Sequence, residues 1–171
     1  HHLLAAIDHL VHGQGRQDIQ FLCVGDGPER RHLMELAREL DITEYVSFPG
    51  RLPDDEMVAA LCAADLCVNS DDANELNDKS TMLKIVEYMA LGKPIVQFDL
   101  SEGRISAQDA ALYAKPNDPV DLGAKIIALL EDPDARQRMG ALGRTRAEEE
   151  LAWHYQAPKL LAAYAALWPE R

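Results

Sequence analysis

Residues 77–94 read NDKSTMLKIVEYMALGKP, and the rest of the chain is read outward from this stretch. A polar loop runs into a helix expected over residues 80–91. Met82, Ile85, Val86 and Met89 fall on its apolar side. Ser80, Lys84 and Glu87 follow one another at i, i+4 and i+7, so they share a polar stripe. Gly92 and then Pro94 stop the helix in the usual order, glycine first and proline just beyond. Short apolar runs at residues 66–69 and 95–98 flank the segment and read as strands. Strand, loop, helix and strand in this order make a βαβ unit.

The same alternation continues on both sides. Residues 19–25 (IQFLCVG) form a buried-strand pattern ending in glycine, and Pro28 is expected at the first position of the following helix. That helix places Leu33, Leu36, Ala37 and Leu40 on one face. Residues 46–48 read as a second strand stopped by Pro49-Gly50. The helix after Pro53 carries acidic residues in its first turn and an apolar face of Met57, Ala60, Leu61 and Ala64. Beyond residue 98 come a strand at 111–114 and a helix opened by Asp118-Pro119, with Leu122, Ile126, Leu129 and Leu130 facing inward. Asp132-Pro133 breaks it, and helical sequence resumes from Asp134 towards Gly143 and again over residues 148–168. The first residues read as helix with no cap before them, which fits a chain starting inside an element; a tag remnant is the other reading of His1-His2.

The expected fold is α/β: a doubly wound, Rossmann-like parallel sheet with helices on both faces, spanning residues 1–171 as one domain. Right-handed crossovers place the strand-to-helix loops along one edge, so chemistry is sought in residues 25–29, 49–54, 69–84 and 99–106. The 171 residues are 47% hydrophobic and 27% charged, with 29 acidic against 17 basic side chains and a net charge of −12. That average field repels nucleic-acid backbones and anionic lipid, while leaving room for a local phosphate pocket. Cys23, Cys62 and Cys67 form no even set and no C-x-x-C pair, and are expected as buried free thiols in a reducing, cytoplasmic setting. No apolar run reaches the roughly 20 residues of a membrane span. No H-x3-H pair occurs and Asp54-Asp55 and Asp71-Asp72 lack evident partner ligands, so no metal is expected.

Two segments offer chemistry on local grounds. Gly25-Asp26-Gly27-Pro28 lets a ligand approach backbone at a helix start, and is equally a tight strand-to-helix turn. In the Ser80–Lys84–Glu87 stripe, a carboxylate can accept two hydrogen bonds from a vicinal diol while an ammonium and helix-terminal N–H groups hold a diphosphate. The competing reading is a Lys84–Glu87 surface pair worth a few tenths of a kcal/mol. Four aromatics, Trp153, Tyr155, Tyr164 and Trp168, stud the last helical stretch, either packed in the core or presented to another domain.

The segment EYMALGKPIV, together with VGDGPER, VSFPGRLPDDEM, AADLCVNS and ALYAKPND in the same order, resembles the C-terminal, donor-binding domain of retaining glycosyltransferases with two Rossmann-like domains, the GT-B group 1 type. The resemblance implies a nucleotide-diphosphate sugar as co-substrate, no separate cofactor and no metal. It implies an acceptor (a glycan, a lipid-linked sugar or a small molecule) held by an N-terminal domain. Glu87 matches the glutamate that holds the donor ribose. The resemblance also implies base contacts along Phe48, Gly50, Arg51 and Leu52, and close backbone at Gly25 and Gly27. Donor contacts are implied at Asp78, Ser80, Thr81, Met82 and Leu83, with Lys79 and Lys84 neutralising phosphate charge. One position departs from the pattern. Lys79 stands where a second glutamate is usual, and Ser80-Thr81-Met82 replaces a Gly-x-Gly; Asp78 shifted by one residue, Glu75 farther back in the loop, and direct phosphate binding by Lys79 and Ser80 are the explanations. By the same resemblance the first strand, its basic clamp and the whole N-terminal domain lie outside this chain. Residues 148–168 pack on that domain, and the fragment itself is expected to be inactive. UDP, GDP and ADP sugars stay open as donors. A sugar-nucleotide epimerase of the same architecture and a non-enzymatic α/β binding module are the alternatives.

Overall fold

The computed structural model describes residues 1–167. Helix α1 (His2–Asp8) widens into a π turn over His9–Gly13 before β1 (Phe21–Val24). There follow α2 (Arg30–Glu39), β2 (Val46–Gly50), α3 (Asp54–Ala63), β3 (Cys67–Asn69), the single turn α4 (Glu75–Asp78), α5 (Leu83–Ala90) and β4 (Ile95–Phe98). The chain continues through α6 (Ser101–Ala107), β5 (Ala111–Ala114), α7 (Pro119–Leu130) and α8 (Pro133–Arg146). A second π turn over Ala147–Leu151 then leads into α9 (Trp153–Leu167).

All strand pairs are parallel, as the alternation requires, yet they form two sheets: β1-β2 and β3-β4-β5. The larger core lies where α1 and α7 cover β4 and β5, with Ile7, Leu10, Val96, Phe98, Leu122, Ile126 and Leu129 fully buried. Each such side chain contributes about 1.5–3 kcal/mol by leaving water. A second cluster under α5 and α8 buries Ile85, Met89, Ile95 and Ala111. By contrast α3 buries none of its residues, and the Met57, Ala60, Leu61 and Ala64 face is only half covered.

Several local expectations change. Helix α5 starts at Leu83 with Met82 at its N-cap, so Ser80 lies outside the helix and the three-residue stripe shortens to Lys84 and Glu87. Pro28 sits in a turn, and α2 begins two residues later at Arg30. Strand β2 runs through Pro49 to Gly50, which its unpaired outer edge permits. Residues 101–107 are helical rather than loop. Asp132 and Pro133 start α8 as much as they end α7, since the Asp132 side chain accepts from the Ala135 N–H. Cys67 is buried, Cys23 half-buried, and Cys62 exposed against expectation; all three are free. Burial pushes the Cys67 thiol up to about 11, which makes it inert rather than reactive. Trp153, Tyr155 and Tyr164 are exposed, so core packing is not their role; Trp168 lies outside the described residues.

The end of α5 is held by a close backbone approach. Gly92 takes φ +65°, its N–H donates to the Met89 carbonyl, and the Lys93 N–H reaches back to Tyr88, a complete Schellman stop. Helix α8 crosses this turn so closely that a Cβ on Gly140 would stand 2.2 Å from the Gly92 carbonyl oxygen. Lys93 Nζ then donates to the carbonyls of Cys62 and Ala64, closing the last turn of α3. Gly140→Ala must therefore part α8 from α5, and is expected to cost about 1–3 kcal/mol of unfolding free energy in urea titration. A change under about 0.5 kcal/mol would show that the crossing is looser than described.

Candidate donor-binding site

The strand-to-helix loops gather at the carboxyl ends of the strands, and their side chains fall into two groups. The first lies beyond β1 and β2. The Gly25 N–H donates to the Gly50 carbonyl (2.9 Å), which draws the two loops together, and Gly25 has φ +144°. Space is open above Gly25 and Gly27, where a Cβ would meet nothing within 4 Å. Gly50 is buried with φ +82° and the Arg30 guanidinium passes 3.8 Å from where its Cβ would be. Arg30 Nη2 donates to the Phe48 carbonyl at 2.8 Å, so that carbonyl is already engaged, and the Phe48 ring packs against the core. Leu52 is half-buried and Arg51 exposed. Arg30 escaped the sequence reading because α2 was expected to begin at Pro28. A start at Arg30 puts this cation in the first turn, where nothing in the helical pattern favours it.

The second group lies beyond β3. Loop residues 70–82 are anchored rather than loose. Asn117, at φ +56°, accepts from the Ala73 N–H (2.7 Å) and donates to its carbonyl (3.2 Å). Asn74 caps α4 by accepting from the Asn77 N–H. Asp78 accepts from both the N–H and the hydroxyl of Ser101 (2.8 and 3.1 Å), acting as a cap for α6 from outside that helix. Ser80 donates to the Leu76 carbonyl, and Thr81 donates to Glu102 at 2.9 Å. These bonds consume the side chains of Asp78, Ser80 and Thr81, and leave them structural tasks in this arrangement.

Lys84 and Glu87 behave differently. Lys84 Nζ donates to Asp71 Oδ1 (2.9 Å) and lies 2.8 Å from Oδ2, with both side chains partly shielded from water. Asp71 is two residues past the end of β3, so the first turn of α5 stands at the carboxyl edge of the sheet. The Lys84–Glu87 surface pair does not form: Lys84 is taken by Asp71. The Glu87 side chain is exposed and makes no hydrogen bond or ion pair among the described residues. Lys79 holds Glu75 at 2.7 Å with both side chains largely exposed, a pair worth little and easily exchanged for another anion. Met82 is half-buried against the smaller core, and Leu83 is 76% exposed at the helix start, a large apolar side chain left in water. The fold also gathers His1, His2 and Asp72, with ligand atoms within 4.8 Å of one another; sequence spacing could not reveal this set because Asp72 is remote in the chain.

Residues 1–132 match the family described as "Glycosyl transferases group 1". The chain belongs to that family. It is 28% identical over 165 residues to the 2-deoxystreptamine glucosyltransferase of Streptomyces kanamyceticus, covering 95% of this chain and 41% of that one. Its fold superposes on sucrose-phosphate synthase from Thermosynechococcus elongatus with a TM-score of 0.79 at 23% identity, over 97% of this chain and 43% of the other. Anabaena HepE, solved in complex with UDP and glucose, gives a TM-score of 0.74 at 21% identity over 95% and 44% of the two chains. The chain thus spans about two-fifths of the length of these proteins, and its fold is the Rossmann-like half of a GT-B architecture.

Asp78→Ala removes two hydrogen bonds at the start of α6 and is expected to lower stability by about 1–2 kcal/mol. Urea unfolding checks this; a stability equal to wild type would release Asp78 from its structural task.

Proposed function

We propose that the full-length protein transfers a sugar from a nucleotide-diphosphate donor to an acceptor, and that this chain supplies the donor half of the site. Glu87 carries this reading. An exposed carboxylate without a side-chain partner among the described residues, one turn along a helix whose first turn stands at the carboxyl edge, is suited to accept two hydrogen bonds from a ribose diol. Lys84, anchored on Asp71 at that edge, and Lys79, in an exposed pair, are the cations for the diphosphate. The open space over Gly25 and Gly27 lets the donor come close to backbone. The chemistry is stabilisation of a departing diphosphate and of an oxocarbenium-like sugar by fixed positive charge. In this reading transfer proceeds with retention, needs no metal and takes place in the cytoplasm, where the three free thiols stay reduced. The finding that HepE was solved with UDP and glucose supports a nucleotide sugar as the donor class.

Asp78 drops out of the donor contacts in this proposal, since Ser101 occupies both its oxygens. Direct phosphate contact by Lys79 is the explanation for the missing glutamate that this proposal adopts.

In the full-length enzyme, Glu87→Ala is expected to raise the donor KM by roughly 10-fold or more, the loss of a charge-assisted hydrogen bond of about 1.5–3 kcal/mol. Stability should barely change, because the side chain is exposed. Steady-state kinetics with a panel of UDP, GDP and ADP sugars would test this, and an unchanged donor KM contradicts the role. Product analysis in the same assay separates a glycosylated acceptor from an epimerised donor.

A further inference from the structure

The segments that follow β3 and β4 bring several carboxylates to the carboxyl edge of the sheet, and all but one are engaged. Asp71 holds Lys84. Asp72 lies 3.3 Å from His2 Nε2. Glu75 pairs with Lys79, and Asp78 has both oxygens on Ser101. Asp99 forms a two-bond pair with the Arg104 guanidinium. Glu102, in the first turn of α6, is the exception. Its Oε2 accepts from the Thr81 hydroxyl at 2.9 Å, and its Oε1 has no partner among the described residues. We propose that Glu102 recognises the transferred sugar of the donor, its Oε1 accepting a hydrogen bond from a sugar hydroxyl. The inference rests on the donor reading above and adds to it the residue that reads the sugar.

Position supports this role. Thr81 stands directly before Met82, the N-cap of α5, and Lys84 lies in the first turn of that helix. The start of α5 is therefore flanked by the Asp71–Lys84 pair on one hand and by Glu102 of α6 on the other. Strand β4 is the immediate neighbour of β3, with Gln97 opposite Asn69, so the turn after β4 comes next along the edge. In a nucleotide sugar the sugar is bonded to the terminal phosphate. A diphosphate neutralised by Lys84 and Lys79 thus leaves its sugar beside the start of α5. Lys79 brings an ammonium there where a glutamate is usual, and α6 supplies a carboxylate instead.

The carboxylate is also held firmly. The Ser101 N–H is fixed by Asp78, and the Gly103 carbonyl accepts from Gln97 Nε2 at 3.1 Å. A Cβ on Gly103 would stand 3.0 Å from the buried Gln97 amide oxygen, so only glycine lets α6 lie this close to β4. The bond from Thr81 then sets the rotation of the half-buried Glu102 carboxylate. Arg104 does not cancel its charge. Two residues on is about 200° around a helix, and the Arg104 guanidinium lies over the Tyr113 ring of β5, 4.3 Å from its centroid, on the side away from β3. A carboxylate is an acceptor only, and every hydroxyl of a neutral polyol can donate to it. It repels a phosphate, which places it beside the sugar rather than the diphosphate.

Isothermal titration calorimetry on the full-length protein tests the assignment, with UDP-glucose against UDP, GDP-mannose against GDP and ADP-glucose against ADP. Glu102→Ala is expected to weaken the sugar nucleotide that binds best by roughly 10-fold, and the matching diphosphate by under about twofold. Thr81→Val keeps the carboxylate but frees its rotation, and should weaken the same sugar nucleotide about 3-fold while sparing the diphosphate. Equal losses on both ligands would make Glu102 a support of the phosphate site, and no loss on either would remove it from the site. Each of these results overturns the inference and leaves the donor reading standing. Wild-type protein that binds none of the three diphosphates overturns the donor reading, and this inference with it.

Discussion

The contact between Gly140 and the Gly92 carbonyl governs the geometry on which the rest relies. No side chain fits between α8 and the turn after α5, so the two helices meet backbone to backbone. Gly143, one turn on, lets Met89 and Ala110 press against α8 in the same way. Helix α5 is thereby fixed at its carboxyl end and along its buried face by Ile85 and Met89, both almost wholly out of water. What stays free is the outward side of its first two turns, where Lys84 and Glu87 lie. A rigid base with an exposed, chemically competent front is what a binding helix requires.

Around that helix the polar loop residues divide by task. Asp78, Ser80 and Thr81 are occupied in tying α4, α6 and the loop to one another. Asn117 fastens the same loop to the turn before α7. This internal bonding accounts for the abundance of short polar side chains between β3 and α5 without assigning each one to a ligand. Among the described residues it leaves the Glu87 side chain without a partner and Lys84 paired with a single carboxylate, that of Asp71. The chain's −12 net charge says nothing against such a pocket, since the field at one diphosphate is set by groups within a Debye length.

Much of this was legible in the sequence because it rests on periodicity and on breakers. The strands at 95–98 and 111–114, the Asp118 cap and the Gly92 stop all follow from local patterns, and they appear where the patterns put them. Family membership was equally legible, carried by five blocks in fixed order. Three things were not. The start of α5 moved from Ser80 to Leu83, because a serine hydroxyl that bonds back to Leu76 ends one helix as readily as it begins another. Helix α6 was hidden because SEGRISA carries a glycine and no apolar stripe; its start is stabilised by Asp78, a residue 23 positions away. The split of the sheet was invisible for a more general reason. An apolar strand reads the same whether its neighbour is present or not, and only coordinates reveal that Leu22 and Val24 face an opening.

Binding of a nucleoside diphosphate and its 2′-deoxy counterpart to the full-length protein, with and without Glu87, bears most directly on the role of that carboxylate. Isothermal titration calorimetry would give the four affinities. If Glu87 grips the diol, removing the 2′-hydroxyl weakens wild-type binding by roughly 10-fold and leaves binding to Glu87→Ala unchanged. An equal loss in both proteins would mean that the hydroxyl is read elsewhere, and the donor site would have to be redrawn away from α5.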